Sequence, residues 1–268
     1  MLVRIRKIGL PGHVLTAARH REILRLLTER GGIPLREIEA RFSVSAATAR
    51  RDADRLADSA LAKRTRGGLL PVSFALGEAA FPRKLGTATS VKAKLAHVVA
   101  KIVPEDGTVF VDSGTTCLEV GRCLLDRDRT RIFTNSVPLL ALASGCRAQV
   151  SAIGGEVRKI SLALTGAVAQ SWLSALRFDV AVIGASGADA VRGASTTELA
   201  EAEIKTMALK SAHVRILVIH ADKWNKPSTV RFAPWESFTH VVTDRSFTRA
   251  ERLALGSRGV KIVGLPSP

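Results

Sequence analysis

The stretch "VFVDSGTTCLEVG", residues 109–121, passes from an apolar run through a turn of small residues into a helical pattern. A β-turn-α unit of this kind exposes backbone N–H groups at a helix N-terminus, which suits an anion in enzymes and sensors alike. The unit recurs along the chain. Strand-like runs stand at 108–112, 130–134, 149–153, 178–184, 214–220, 240–243 and 260–263, alternating with helical patterns at 91–103, 115–125, 137–145, 166–176 and 196–212. Apolar strands separated by helices predict a mostly parallel α/β sheet, and ligands on such sheets bind beyond the carboxyl ends of the strands.

The polar turns fall at those ends: Asp112-Ser113-Gly114-Thr115-Thr116, Thr134-Asn135-Ser136, Gly154-Gly155, and the segment from Gly184 to Gly187. Gly114 permits close backbone approach, and the hydroxyls of Ser113, Thr115 and Thr116 can donate to phosphate oxygens. Asp112 would repel phosphate but accept sugar hydroxyls. Each turn alone is an ordinary βα connection; four at one sheet edge predict a shared pocket. Glu201 and Lys205 stand i, i+4 on a helix, where a surface salt bridge is the default. Lys223 follows a buried-looking strand and could neutralise a phosphate.

At 268 residues with 46% apolar content, the chain can bury a large core. No apolar run approaches the roughly 20 residues that a membrane helix needs. The basic start breaks at Pro11, Gly12 and His13 before a signal-peptide core can form, so residues 1–15 read as a loose arm and the protein as cytoplasmic. Cys117, Cys123 and Cys146 show no C-x-x-C spacing and the six histidines no ligand spacing, which leaves no visible metal or cofactor site. The net charge of +16 points to a polyanionic partner. Residues 1–70 hold 15 Lys and Arg against 7 Asp and Glu, so the first quarter carries half of the excess.

That quarter has its own pattern. "TAARHREILRLLTERGG" from Thr16 sets Ile23, Leu24, Leu26 and Leu27 on one side of a helix that stops at Gly31-Gly32. Pro34 opens a second helix at a first-turn position, with Leu35, Ile38 and Phe42 spaced for burial. Ser45 is a natural N-cap for a third, "AATARRDADRLAD". On it Ala46, Ala49, Ala53 and Leu56 share one face while Thr48, Arg51 and Arg55 share the other, with Arg50 on the flank. This suits a recognition helix, because arginine forks read guanine edges and hydroxyls or flanking arginines grip phosphate. The alternative is a solvated face with Arg51 and Arg55 paired to Asp52, Asp54 or Asp58. Lys63, Arg64 and Arg66 then lead into Gly67-Gly68, a basic hairpin that reads as a wing. "LLPVSFALGEAAFPRKLGTATS" reads as a linker over residues 71–90, which leaves 16–70 as a DNA-binding module and 91–268 as a second domain.

"SVSAATARRDADRLADSALAKRTRGG" resembles the winged helix-turn-helix of the DeoR family of bacterial transcriptional regulators, with Val44, Ser45, Thr48, Arg50, Arg51, Asp52, Leu56, Gly67 and Gly68 on its pattern. Ala49, Ala53 and Ala60 depart from it. "TVFVDSGTTCLEVGRCL", "IFTNSVPLLALA", "SAIGGEVRKISLALTGAVA", "FDVAVIGASGADAVRG" and "HADKW" resemble, in order, successive blocks of the DeoR-type sensor. The resemblance implies a fold similar to ribose-5-phosphate isomerases, operator DNA and a phosphorylated sugar as partners, and repression relieved by effector; a dimer or tetramer is expected because one small module offers limited specificity and two-fold proteins match palindromic sites. It makes Glu201, Glu203 and Lys205 candidate pocket residues. His220 and Asp222 replace the usual residues of the family's D-x-S-K-[FW] segment beside Lys223. The competing expectation is a sugar-phosphate isomerase with Asp112, Glu201 and Lys205 as base and electrophile. Such an enzyme has no use for residues 16–70.

Overall fold

The computed structural model describes residues 12–30, 32–59, 61–71 and 80–265. The chain divides into two compact units, Met1–Arg83 and Lys84–Pro268.

The first unit runs α1 (Gly12–Arg30), β1 (Ile33–Pro34), α2 (Leu35–Phe42), α3 (Ala46–Asp58), β2 (Ala62–Thr65) and β3 (Gly68–Pro71). α1 begins before the expected Thr16, taking in four residues read as part of the arm; nothing in His13-Val14-Leu15 opposes a helix. Gly31 of the expected stop lies outside the described residues. Pro34 is the N-cap of α2 rather than its first helical residue, and pairs with Gly68 across a three-stranded sheet ordered β1-β3-β2. Gly68 must be glycine there: a Cβ would stand 2.2 Å from the Ile33 carbonyl oxygen. Ile23, Leu26, Leu27, Ile38, Ala49, Ala53, Leu56 and Leu69 form one core, with Leu24, Leu35 and Phe42 packed against it. Ala46, in the first turn of α3, stays exposed because the inward face begins only one turn later, at Ala49.

The second unit runs α4 (Phe81–Leu85), α5 (Thr89–Ile102), β4 (Gly107–Val111), α6 (Thr115–Leu124), β5 (Thr130–Thr134), α7 (Val137–Ala141), β6 (Gln149–Ala152), β7 (Glu156–Arg158), β8 (Ala163–Thr165), α8 (Ala167–Ala175), β9 (Phe178–Gly184), β10 (Gly187–Asp189), β11 (Gly193–Thr196), α9 (Leu199–Lys210), β12 (Ala212–Val218), β13 (Val230–Ala233), β14 (His240–Thr243), α10 (Arg249–Gly256) and β15 (Lys261–Gly264). The division between units falls within α4. The segment read as linker is therefore partly ordered: residues 72–79 lie outside the described ones, Pro71 ends β3, and α4 and the start of α5 are helical. Pro82 does not prevent this, because it stands in the first turn of α4, where no intrahelical N–H is needed.

Seven strands pair in parallel in the order β15-β14-β12-β9-β4-β5-β6. From β4 the chain moves outward one way through β5 and β6, and from β9 the other way through β12, β14 and β15. Neighbouring β4 and β9 thus flank the switch point where loops diverge and a crevice opens. Phe110, Phe178, Ala181, Ile183, Ile204, Leu217, Trp224, Trp235 and Phe238 belong to the main core. Two small antiparallel sheets, β7-β8 and β10-β11-β13, were not evident as strands in the sequence. No helix among the described residues is long and apolar enough to cross a membrane.

Candidate functional site

In the first unit, Ser45 caps α3 by accepting the Thr48 N–H at 3.2 Å. Arg50, Arg51 and Arg55 are exposed and have no carboxylate partner among the described residues. Two of the acids that might have paired with Arg51 and Arg55 are occupied elsewhere. Asp52 is buried, accepting from Arg19 Nε at 2.6 Å and lying 2.8 Å from His20 Nε2. Its burial opposes ionisation, but the Arg19 and His20 hydrogen bonds hold its carboxyl below the usual range. Asp54 accepts from Arg64 Nε at 2.8 Å. Arg64 also donates to the Thr65 and Gly68 carbonyls, so it braces the wing, while Lys63 and Arg66 extend from it exposed. Asp52 anchors the inner face of α3, and Thr48, Arg50, Arg51 and Arg55 remain on the outside.

In the second unit, a cleft of about 480 Å³, measured out to open solvent, lies at the β4/β9 switch point. Ser113, Gly114, Thr115, Thr116 and Cys117 contribute the β4–α6 turn, and Gly184, Ala185 and Ser186 the segment after β9. Gly114 has φ 118°, a left-handed-side backbone that a Cβ would strain. The N–H groups of Thr115, Thr116 and Cys117 find no oxygen among the described residues. They face the cleft at the positive end of α6.

Cations converge on those donors. Lys84, Lys205 and Lys223 all line the cleft, with Glu201 as the carboxylate among its lining residues. Glu201 and Lys205 do not form a surface pair; both are buried and each has another partner. Lys205 Nζ binds Asp112 Oδ2 and donates to the Gly184 carbonyl at 3.2 Å. Burial alone would lower the Lys205 pKa, but the Asp112 and Glu201 carboxylates hold it above the usual lysine range. Glu201 accepts from Arg158 Nη1 at 2.9 Å and Thr196 Oγ1 at 3.2 Å. Lys223 donates to the Ala185 carbonyl at 2.6 Å. Burial, and then the charge of Lys84, bring its pKa down to about 8.

Asp112 lies beneath the cleft, fully buried, rather than on its wall. Burial pushes its carboxyl up, against the nearby Lys205; Oδ2 also takes the Gly184 N–H at 3.0 Å, while Oδ1 has no partner among the described residues. Asn135 is also a support, its Oδ1 accepting the Ser113 N–H at 2.7 Å. Ser136 caps α7 by accepting the Leu139 N–H at 3.3 Å. Gly154, Gly155 and Gly187 stand outside the cleft. Gly155, at φ 105°, lets its backbone lie where a Cβ would meet the Thr165 carbonyl oxygen at 2.3 Å, and Gly187 makes the same allowance for that of Lys226 at 1.9 Å. Their glycines serve packing.

Lys84, Ser161 and Thr196 line the cleft without having been singled out from the sequence. Ser161 and Thr196 arrive through the β7–β8 connection and β11. Arg158 was also missed; it holds Glu201 from β7. His220 begins the short 3-10 turn Ala221–Lys223, and Asp222 points outward at 83% side-chain exposure. The altered segment thus still delivers Lys223 to the cleft.

A winged helix-turn-helix joined to a parallel α/β unit with a cleft at its switch point defines a DNA-binding transcriptional regulator with a separate sensor domain. Residues 19–73 match the DeoR-like helix-turn-helix domain and residues 87–245 the DeoR C terminal sensor domain, so the chain belongs to the DeoR family. It is 30% identical over 93% of its length, and 98% of the relative's, to the HTH-type transcriptional regulator GlpR of Haloferax volcanii. It is 29% identical over 84% of its length, and 90% of the relative's, to the Glycerol-3-phosphate regulon repressor of Escherichia coli. Among solved structures, ribose 5-phosphate isomerase A of Methanocaldococcus jannaschii matches 52% of this chain and 56% of its own, with 15% identity and a TM-score of 0.39.

Proposed function

We propose that this regulator is a repressor whose operator affinity is set by a phosphorylated sugar or polyol bound in the cleft of the second unit. The observation that carries this reading is the convergence of Lys84, Lys205 and Lys223 on the free N–H groups at the start of α6. A dianion there meets helix-end donors and ammonium groups together. The hydroxyls of Ser113, Thr115, Thr116, Ser161 and Thr196 surround it and suit the remainder of a polyol. The phosphorylated polyol in the name of the Escherichia coli relative makes glycerol 3-phosphate a natural candidate.

An isomerase reading needs a carboxylate free to take a carbon-bound proton. Asp112 is committed to Lys205 below the cleft and Glu201 to Arg158 and Thr196, which supports binding without turnover. On the DNA side, Thr48, Arg50, Arg51 and Arg55 are the base- and phosphate-contacting set, with Ser45 capping the helix and Lys63 and Arg66 gripping backbone phosphates; Arg64 holds the wing in shape. Two-fold operators call for a dimer or tetramer, acting in the cytoplasm.

The test is fluorescence anisotropy of the full chain on an operator fragment that the protein itself enriches from genomic DNA. It is run at physiological salt with random competitor, against glycerol 3-phosphate, fructose 1-phosphate, fructose 6-phosphate, ribose 5-phosphate and inorganic phosphate. Release of the operator by one of them supports the reading. Turnover of a panel member, with no specific DNA binding, sinks it.

A further inference from the structure

α8 presents solvent with a face that carries no charge. Ala167, Val168, Ser171, Trp172, Ser174 and Ala175 are its exposed residues, and none of them lines the cleft. Every other helix of eight or more residues in the second unit exposes a charged side chain, such as Lys94 on α5, Arg122 on α6, Glu203 on α9 and Arg252 on α10. In a chain with 24% charged residues, the run from Ile160 to Leu176 has none. At the centre of the face Trp172 is 58% exposed, and Val168, one turn earlier, 55%. The other two tryptophans, Trp224 and Trp235, are buried. Gly154, which follows the edge strand β6, fits against both exposed side chains: a Cβ there would stand 3.2 Å from Val168 Cγ1 and 3.9 Å from Trp172 Cδ1. Contiguous apolar surface of this kind marks an interaction site.

Resting on the dimeric reading above, we propose that this face of α8 is where two copies of the chain meet, Trp172 of each packing against α8 of the other. Charge and shape both select a second copy as the occupant. The chain carries +16, so two copies repel wherever basic surface meets basic surface. The α8 face is one that they can bring together without burying a charge. An acidic partner or a polyanion finds no counter-charge on it. Around the helix, Val168 and Trp172 form a ridge, and the smaller Ala167 and Ser171 form a shelf about 100° away. A two-fold axis running along α8 sets the ridge of each copy on the shelf of the other, so the face complements itself, as an isologous contact requires. Trp172 supplies the apolar centre and Ser171 and Ser174 begin a polar margin, the usual anatomy of such contacts. A nine-residue helix covers less than the roughly 800 Å² that a standard interface buries on each partner, so α8 is the centre of the contact rather than all of it. Beside Gly154, β6 is uncharged from Gln149 to Ala152 and extends the neutral surface to the edge of the sheet.

The experiment uses the full chain without DNA. Sedimentation velocity over a dilution series gives the dimer dissociation constant. Acrylamide quenching at the same concentrations gives the access to Trp172, taken as the difference between wild type and Trp172→Phe, since Trp224 and Trp235 are buried. Trp172 is expected to resist the quencher in the dimer and to become accessible on dilution through the dissociation constant. Trp172→Glu should raise that constant about thirtyfold or more, as loss of a central aromatic anchor does, and Val168→Lys about tenfold or more. Leu253→Glu, at an exposed leucine of α10, should leave it unchanged. Each variant should keep the wild-type unfolding midpoint by circular dichroism below the dissociation constant, because the replaced side chains are exposed. The proposal is overturned if the dimer forms with Trp172 open to acrylamide, if neither Trp172→Glu nor Val168→Lys weakens it, or if Leu253→Glu weakens it as much. Another surface would then make the dimer, and the dimeric reading would stand. A wild type that is monomeric at every concentration and binds its operator as a single copy brings down the dimeric reading itself, and this inference with it.

Discussion

Replacing Lys205 with Met tests whether the cleft is built over a buried ion pair. Asp112 is fully buried and Lys205 4% exposed, 93 residues apart in sequence. Without Lys205, Asp112 keeps one donor, the Gly184 N–H at 3.0 Å, and its Oδ1 stays unpartnered. Removing one member of such a pair costs about 3–5 kcal/mol, because the other charge is left buried and uncompensated. For a domain of this size that lowers the melting midpoint by about 6–20 °C. Asp112→Asn/Lys205→Met removes both charges, and the uncharged pair of similar volume should recover about 2 kcal/mol or more relative to Lys205→Met. The assay can be run on the intact chain. Its three tryptophans, Trp172, Trp224 and Trp235, all belong to the second unit, and Trp224 and Trp235 stack in the core with ring centroids 5.2 Å apart. Tryptophan fluorescence therefore reports that unit's unfolding alone. A Lys205→Met midpoint within about 2 °C of wild type, or a double variant whose loss equals the sum of the singles, would refute the reasoning.

Three further outcomes are expected. Arg51→Ala should lower operator affinity by about 1–3 kcal/mol with little change on random DNA, whereas Lys63→Ala should weaken both alike and reduce the salt slope by about one; equal losses on both DNAs for Arg51→Ala would contradict base reading. Asp52→Asn, which weakens the Arg19 and His20 anchor at the back of α3, should reduce operator affinity although Asp52 itself faces the core, and an unchanged affinity would show that the anchor is dispensable. Phosphate binding should weaken as pH rises through about 8, since Lys223 holds its proton below that value and loses it above. The slope should approach one tenfold loss per pH unit, and calorimetry on Lys223→Met should find it flattened; a slope that survives the substitution assigns the titration elsewhere.

The order of the elements was legible in the sequence because its signals are local. Helix periodicity placed Ile23, Leu26 and Leu27 in a core, Ser45 announced α3, and Gly67-Gly68 closed the wing. The strand runs at 130–134, 178–184 and 240–243 coincide with β5, β9 and β14. The turn after β4 was legible for the same reason: small residues at a strand's carboxyl end leave a helix N-terminus open. The partners of the charged residues were not legible. Glu201 and Lys205, one helical turn apart, read as a surface pair, but the sheet brings Asp112 to one and Arg158 to the other. Gly155 and Gly187 read like Gly114, but neighbouring carbonyls decide their role. Lys84 sat in an apparent linker, and the short sheets that deliver Ser161 and Thr196 gave no periodicity to detect. Local propensity and capping act over a few residues and are written in sequence. Which buried charge meets which depends on contacts made across the sheet, and desolvation makes those contacts decisive once the chain has folded.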